Sequence, residues 1–268
     1  MKAGTTSLHD YLETHPQISM SDPKEINFFS NPKYWRKGTA WYEKHFADDG
    51  QVWGESSTSY SCYPLRKDVP ERIFDYKPSI KLIYLIRDPM SRFLSHYSHW
   101  LSNGLEKRPL SEVIADDKFE LTEGYYLQSL YYYQLQRYLK VFPKEQIHIV
   151  SSNSLRNSQH ETLEQIWKFL GVSSDVPPPP TMTANRSSSK LQRNLWVNIT
   201  FPKWLQQQSR IPWWVKSPFF RLAQLYAAKI ESPKPSDEEI RLIRKKFSSD
   251  VKQLAHLLRK DSPEWEGY

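Results

Sequence analysis

One cysteine, Cys62, stands in 268 residues. No internal disulfide can form, and a reducing compartment suits such a chain. No apolar run is long enough to span a bilayer and no secretory signal is visible, so the expectation is a cytoplasmic protein. No internal repeat is found, which argues against a repeat array. No nucleic-acid recognition motif is visible and the positive charge is spread along the chain, so nucleic acid is not an expected partner.

What is present is a basic, aromatic-rich chain. Net charge is +7 and the pI about 9.2, which favours anionic partners in general: a phosphorylated donor, an acidic glycan or an anionic membrane. Hydrophobic residues make up 38% and charged residues 25%, a globular balance, and the length suits a single α/β domain over 1–268. Ten tryptophans suggest a ligand groove or an aromatic cap, with buried packing as the plainer alternative.

Strand and helix signals alternate, which predicts a central parallel sheet flanked by helices. Thr5–Thr14 reads as a short helix, and Val52–Gly54 as a short strand before the hydroxyl-rich ESSTSY. Ile80–Ile86 (IKLIYLI) is a buried strand, followed by a helix from Pro89 to about Leu101. Tyr125–Val141 reads as one helix, Gln146–Val150 as a second buried strand, and Ser158–Leu170 as a helix stopped by Gly171. Val172–Lys190 is a proline- and serine-rich loop. Ser236–Lys260 is an amphipathic helix with Ser236 as N-cap and three acids in its first turn.

Two segments carry chemistry. KAGTTSL at Lys2–Leu8 is a small-residue loop opening a helix, where free backbone N–H groups and the positive dipole end bind anions. Gly4 allows close approach, Thr5, Thr6 and Ser7 add hydroxyls, and Lys2 adds charge. The lysine precedes the glycine, the reverse of an ATP or GTP P-loop, which argues against a metal-assisted nucleotide kinase. The plain alternative is a helix cap without a ligand. In LIRDPMSRFLSHY, Arg87 closes a strand and Ser95 follows on the next helix, where open α/β sheets place ligand contacts. The alternative there is an ion pair of Arg87 with Asp88 or another acid.

These segments, with KEINFF at Lys24–Phe29, GESSTSY at Gly54–Tyr60 and SLYYYQLQRYLKVFPKEQIHIV at Ser129–Val150, resemble the sulfotransferases that use 3′-phosphoadenosine 5′-phosphosulfate. The nearest likeness is to the branch related to heparan sulfate glucosaminyl enzymes, and it spans roughly Lys2 to Lys190. The resemblance implies a P-loop-like nucleotide-binding fold with a donor-binding and catalytic core at 1–190 and a helical, aromatic-rich cap at 191–268. It implies that Lys2, Gly4, Thr5, Thr6 and Ser7 hold the 5′-phosphosulfate and that Arg87 and Ser95 hold the 3′-phosphate. Asn185, Arg186, Ser187 and Ser188, in NRSSSK at Asn185–Lys190, would close over the nucleotide, with Ser129 and Tyr131 lining the same site. Glu25 stands where the glycan branch keeps its catalytic base, with Lys2 on the leaving phosphate; its plain alternative is an ion pair with Lys24. No metal is required by this scheme.

The implied acceptor is a hydroxyl, or an amine, on a carbohydrate or glycolipid. The segment Trp196–Arg221 could stack sugar rings, touch a membrane surface or pack as a cap. His96 and His99 match no family position and read as packing or surface residues. The chain departs from the pattern in three places. Ser56 replaces a lysine common after Gly-Glu, Ser59 a proline, and Asn27 a histidine. The family also leads an apolar strand into the lysine loop, whereas only Met1 precedes Lys2 here. The expectation is a truncated first strand in a longer protein, which would open membrane association or a Golgi lumen as alternatives. A degenerate, non-catalytic binder of anionic glycans is the competing reading.

Overall fold

The computed structural model describes residues 3–47, 50–116, 124–177, 179, 234–259, 265 and 267–268. Gly4 caps the first helix, α1 (Thr5–Glu13), in the left-handed conformation at φ 97°, which an L side chain adopts only with strain. A short strand, β1 (Ile18–Met20), follows. Asn31 caps α2 (Pro32–Trp35) by accepting the Lys33 N–H, and α3 (Thr39–Glu43) leads on to β2 (Val52–Gly54). β1 and β2 pair in parallel with Ile18 opposite Val52. Helix α4 (Val69–Tyr76) crosses to β3 (Leu82–Ile86), and Pro89 opens α5 (Pro89–Ser102) behind the Asp88 cap. Then come α6 (Leu110–Ala115), α7 (Gly124–Leu127), α8 (Tyr131–Leu139) and β4 (Ile147–Ser151). Helices α9 (Ser152–Asn157), α10 (Gln159–Leu170) and α11 (Asp237–Leu257) complete the described elements.

Side chains of β3 alternate between two apolar clusters. Leu82, Tyr84 and Ile86 face the cluster of α4, α5, α8 and α11, whereas Ile83 and Leu85 face α1 and α10. A strand covered on both faces is what a parallel sheet between helix layers requires. The α/β class is therefore as expected. The sheet itself differs from a single continuous one. Among the described residues it forms two parallel pairs, β1–β2 and β3–β4, the latter in register from Leu82–Ile147 to Ile86–Ser151. A cavity of about 640 Å³ is lined by Ile18, Met20 and Val52 of one pair and by Leu82, Ile83 and Tyr84 of the other.

Two further expectations change. The helix expected over Tyr125–Val141 is broken at Gln128–Leu130. The buried Arg92 guanidinium occupies the break, donating to the Tyr125 carbonyl, Ser129 Oγ and Gln128 Oε1. Asp250 of α11 then caps the restart, accepting the Tyr132 and Tyr133 N–H groups at 3.0 and 2.8 Å. Tertiary partners thus satisfy backbone groups that a continuous helix would have satisfied itself. The last helix ends at Leu257, three residues before Lys260, and its start carries the full capping box of Ser236 and Glu239. Gly171 ends α10 at φ 82° as expected.

Candidate functional site

The free N–H end of α1 carries Gly4, Thr5, Thr6 and Ser7, with Gly4 and Thr6 exposed and Thr5 and Ser7 half-buried. An anion held there would meet backbone donors, hydroxyls and the helix dipole together. Lys2 and the Asn185–Lys190 and Trp196–Arg221 segments lie outside the described residues.

The loop after β1 brings Lys24 and Glu25 to this helix end. The Lys24 ammonium donates to Thr6 Oγ1 at 3.0 Å and stands 4.0 Å from Glu25 Oε1. The Lys24–Glu25 ion pair therefore exists, but the same lysine also bridges to the turn that opens α1. Glu25 is exposed, and its other oxygen accepts the Thr58 hydroxyl at 3.1 Å. A carboxylate that is solvent-accessible yet oriented by two neighbours is placed to take a proton.

Beneath it lies a polar network that sequence reasoning did not assign. The Glu55 carboxylate accepts hydrogen bonds from Tyr42 Oη at 3.0 Å, from Tyr60 Oη at 2.7 and 2.8 Å, and from Ser57 Oγ. Burial pushes its carboxyl above the usual carboxylate range, against the pull of those donors. Burial and the nearby Glu55 charge raise the Tyr42 and Tyr60 hydroxyls in turn. Ser57 Oγ also accepts the Asn27 N–H at 2.8 Å, so Glu55 ties the strand-end loop to the Glu25 loop. The available signal was an acid directly before a hydroxyl run, with a tyrosine five residues on.

The three departures from the family pattern have structural roles here. Asn27 sits at φ 57°, donates to the Glu25 carbonyl at 2.9 Å and accepts from Ser59, so its side chain serves the loop. Ser59 also bonds Ser30 at 2.6 Å. Ser56 Oγ lies 3.1 Å from His9 Nδ1. Burial and then Lys24 lower the His9 pKa, which favours the neutral imidazole.

At the second expected contact, Arg87 directly follows β3 and its N–H donates to Tyr131 Oη at 3.1 Å. Burial, and the Arg156 charge on α9, lower the guanidinium pKa. Asp88 directs its carboxylate to the Ser91 N–H and to Tyr268, serving as cap of α5. Ser95 is half-buried on that helix, two turns along. Of the two residues expected to line the site, Tyr131 touches Arg87, whereas the fully buried Ser129 bonds Arg92 and the Tyr125 carbonyl. Ser129 is thus a packing residue, because the Arg92 clamp holds it inside the break between α7 and α8. His96 packs among Trp100 and Tyr125, as its plain reading held.

Comparison with known proteins gives a consistent picture. Residues 1–224 match the family described as sulfotransferase domain. Heparan sulfate glucosamine 3-O-sulfotransferase 5 of Mus musculus is 33% identical over 209 residues, covering 74% of this chain and 55% of the relative. Bifunctional heparan sulfate N-deacetylase/N-sulfotransferase 2 of Homo sapiens is 30% identical over 196 residues, covering 64% of this chain and 21% of the relative. The chain thus spans about half the length of the first relative and about a fifth of the second. A crystal structure of a sulfotransferase from Alicyclobacillus acidocaldarius shares the fold, with a TM-score of 0.68 over 97% of this chain and 93% of that one, at 22% identity.

Proposed function

Because this chain belongs to the sulfotransferase domain family, we propose that it moves a sulfuryl group from 3′-phosphoadenosine 5′-phosphosulfate to a carbohydrate or glycolipid hydroxyl. The observation that carries this reading is the Thr6–Lys24–Glu25–Thr58 chain of contacts, which joins an anion-binding helix end to an accessible carboxylate.

In this reading the turn at Gly4–Ser7, with Lys2, holds the 5′-phosphosulfate, and Arg87 with Ser95 holds the 3′-phosphate. Glu25 takes the acceptor hydroxyl's proton as the acceptor oxygen bonds to sulfur. The bond between sulfur and the bridging phosphate oxygen breaks, and its electron pair leaves with the phosphate. Adenosine 3′,5′-bisphosphate and a sulfate ester result. Charge grows on the leaving phosphate, and Lys2 and the α1 N–H groups stabilise it. Positioning and electrostatics carry the remaining work, by analogy with phosphoryl transfer. The names of the relatives support a glycan acceptor.

Incubation with ³⁵S-labelled donor and a panel of glycans and glycolipids tests the reaction. Glu25→Gln should lower turnover by about 10²–10⁴-fold and leave nucleotide affinity near that of the parent. Wild-type rates in that variant with the true acceptor would remove Glu25 as base.

A further inference from the structure

We propose that Tyr268 is a positioning residue for the nucleotide grip, latched onto the loop that presents Arg87. The inference rests on the reading of Arg87 as the 3′-phosphate contact. Tyr268 and its neighbours lie beyond the residues 1–224 that match the family.

Three hydrogen bonds hold the residues that follow Arg87. The Tyr268 hydroxyl donates to Asp88 Oδ1 at 2.7 Å and accepts the Met90 N–H at 3.1 Å. Asp88 Oδ2 accepts the Ser91 N–H at 2.7 Å. The phenol therefore completes the cap of α5, satisfying a first-turn N–H that a helix leaves without an internal partner. Trp265, buried to 8% exposure, sets its ring 6.3 Å from the Tyr131 ring, and Tyr131 Oη accepts the Arg87 N–H. Arg87 is thus braced through the residue that follows it and through the partner of its own backbone.

The turn that delivers Tyr268 is specific. Gly267 has φ 84°, and a Cβ there would fall 2.5 Å from Arg244 Nη1. Arg244 belongs to α11, which packs against α5. An alanine at 267 would strain the backbone at this positive φ, while the flexible Arg244 guanidinium gives way, and so would loosen the tyrosine without altering a residue of the donor site. Burial and the Asp88 charge raise the Tyr268 hydroxyl above its ordinary range, so it stays a neutral donor across the physiological range.

Rigid presentation matters because a guanidinium fork gains its phosphate specificity from fixed geometry. Loss of the latch should therefore weaken ligands that carry a 3′-phosphate and spare those that do not. Calorimetry on the full chain, with adenosine 3′,5′-bisphosphate and adenosine 5′-monophosphate as probes, separates the two. For Tyr268→Phe, which keeps the ring, the bisphosphate Kd should rise about tenfold, or about 1.4 kcal/mol, with the monophosphate Kd unchanged. Gly267→Ala should give the same selective loss. Unchanged bisphosphate affinity in both variants, or equal weakening of both nucleotides, overturns the latch. If the parent chain binds the two nucleotides equally, the Arg87 assignment fails first and takes the latch with it.

Discussion

Replacing Glu55 tests the physical basis of the site directly. Two tyrosine hydroxyls, both in buried surroundings, converge on its carboxylate, and Ser57 adds a third donor. Glu55→Leu leaves Tyr42 and Tyr60 without an acceptor, at about 1–3 kcal/mol each. Removing a carboxylate that burial already penalises offsets part of this. The expected net loss is about 3 kcal/mol, a large share of a domain stability of about 5–15 kcal/mol. Glu55→Gln retains the volume and one carbonyl oxygen and should lose about 1–2 kcal/mol. Tyr60→Phe removes the donor with the shortest of the tyrosine contacts and should cost about 1.5–3 kcal/mol in the parent chain. In the Glu55→Leu background the same change should cost less, because the hydroxyl then keeps only the Phe29 N–H, at 3.3 Å, as a partner. Urea unfolding of the four chains of this cycle measures the coupling, provided the m-values agree. Additive losses, with a coupling below about 0.5 kcal/mol, would refute the claim that Glu55 organises the loop.

Three further outcomes are expected. Arg87→Ala should weaken adenosine 3′,5′-bisphosphate binding by at least about tenfold, since a charge-assisted contact is worth about 1.5–3 kcal/mol, and calorimetry would read it. Gly4→Ala should weaken the same nucleotide, because a left-handed cap at φ 97° resists a side chain, and a mutant with the parent's affinity would show that the turn tolerates it. Asp250 should impose an acid-range pH dependence. Burial raises its carboxyl from 3.8 to about 6 despite the backbone N–H groups of Tyr132 and Tyr133 that donate to it. The folded state holds the proton more tightly than the unfolded chain, so this contribution is full below pH 3.8 and is lost as pH rises through about 6. It amounts to about 3 kcal/mol at most. The stability difference between the parent and Asp250→Asn, followed by denaturant melts from pH 3 to pH 7, should move in that direction; a constant difference would contradict it.

Much of the fold could be read from local pattern. IKLIYLI and QIHIV are short apolar runs with polar punctuation, and both are strands of one parallel pair. Ser236 with Glu239 and Gly171 marked helix ends because capping chemistry is local. The break at Gln128–Leu130 was not legible, since its causes, Arg92 and Asp250, are distant in sequence. β1, at three residues, is too short for a periodicity to declare it. At the site, Glu25, Thr6 and Arg87 were indicated by motif. The supporting residues Lys24, Thr58 and Tyr268 act through contacts 18 to 180 positions apart in the chain, which no spacing rule reports, whereas Glu55 meets tyrosines only 5 and 13 positions away.

The division of the strands into two pairs bears on how the molecule would respond to the proposed nucleotide. Glu25 and the Ser56–Thr58 loop follow from one pair, while Arg87 is borne by the other, and among the described residues no backbone ladder joins them. A molecule that touched both would act as a splint across the division. Without it, the amides of Ile18–Met20 and of Leu82–Ile86 should exchange with solvent as separate cooperative units. With it bound, their opening should become one event, and their exchange rates should converge.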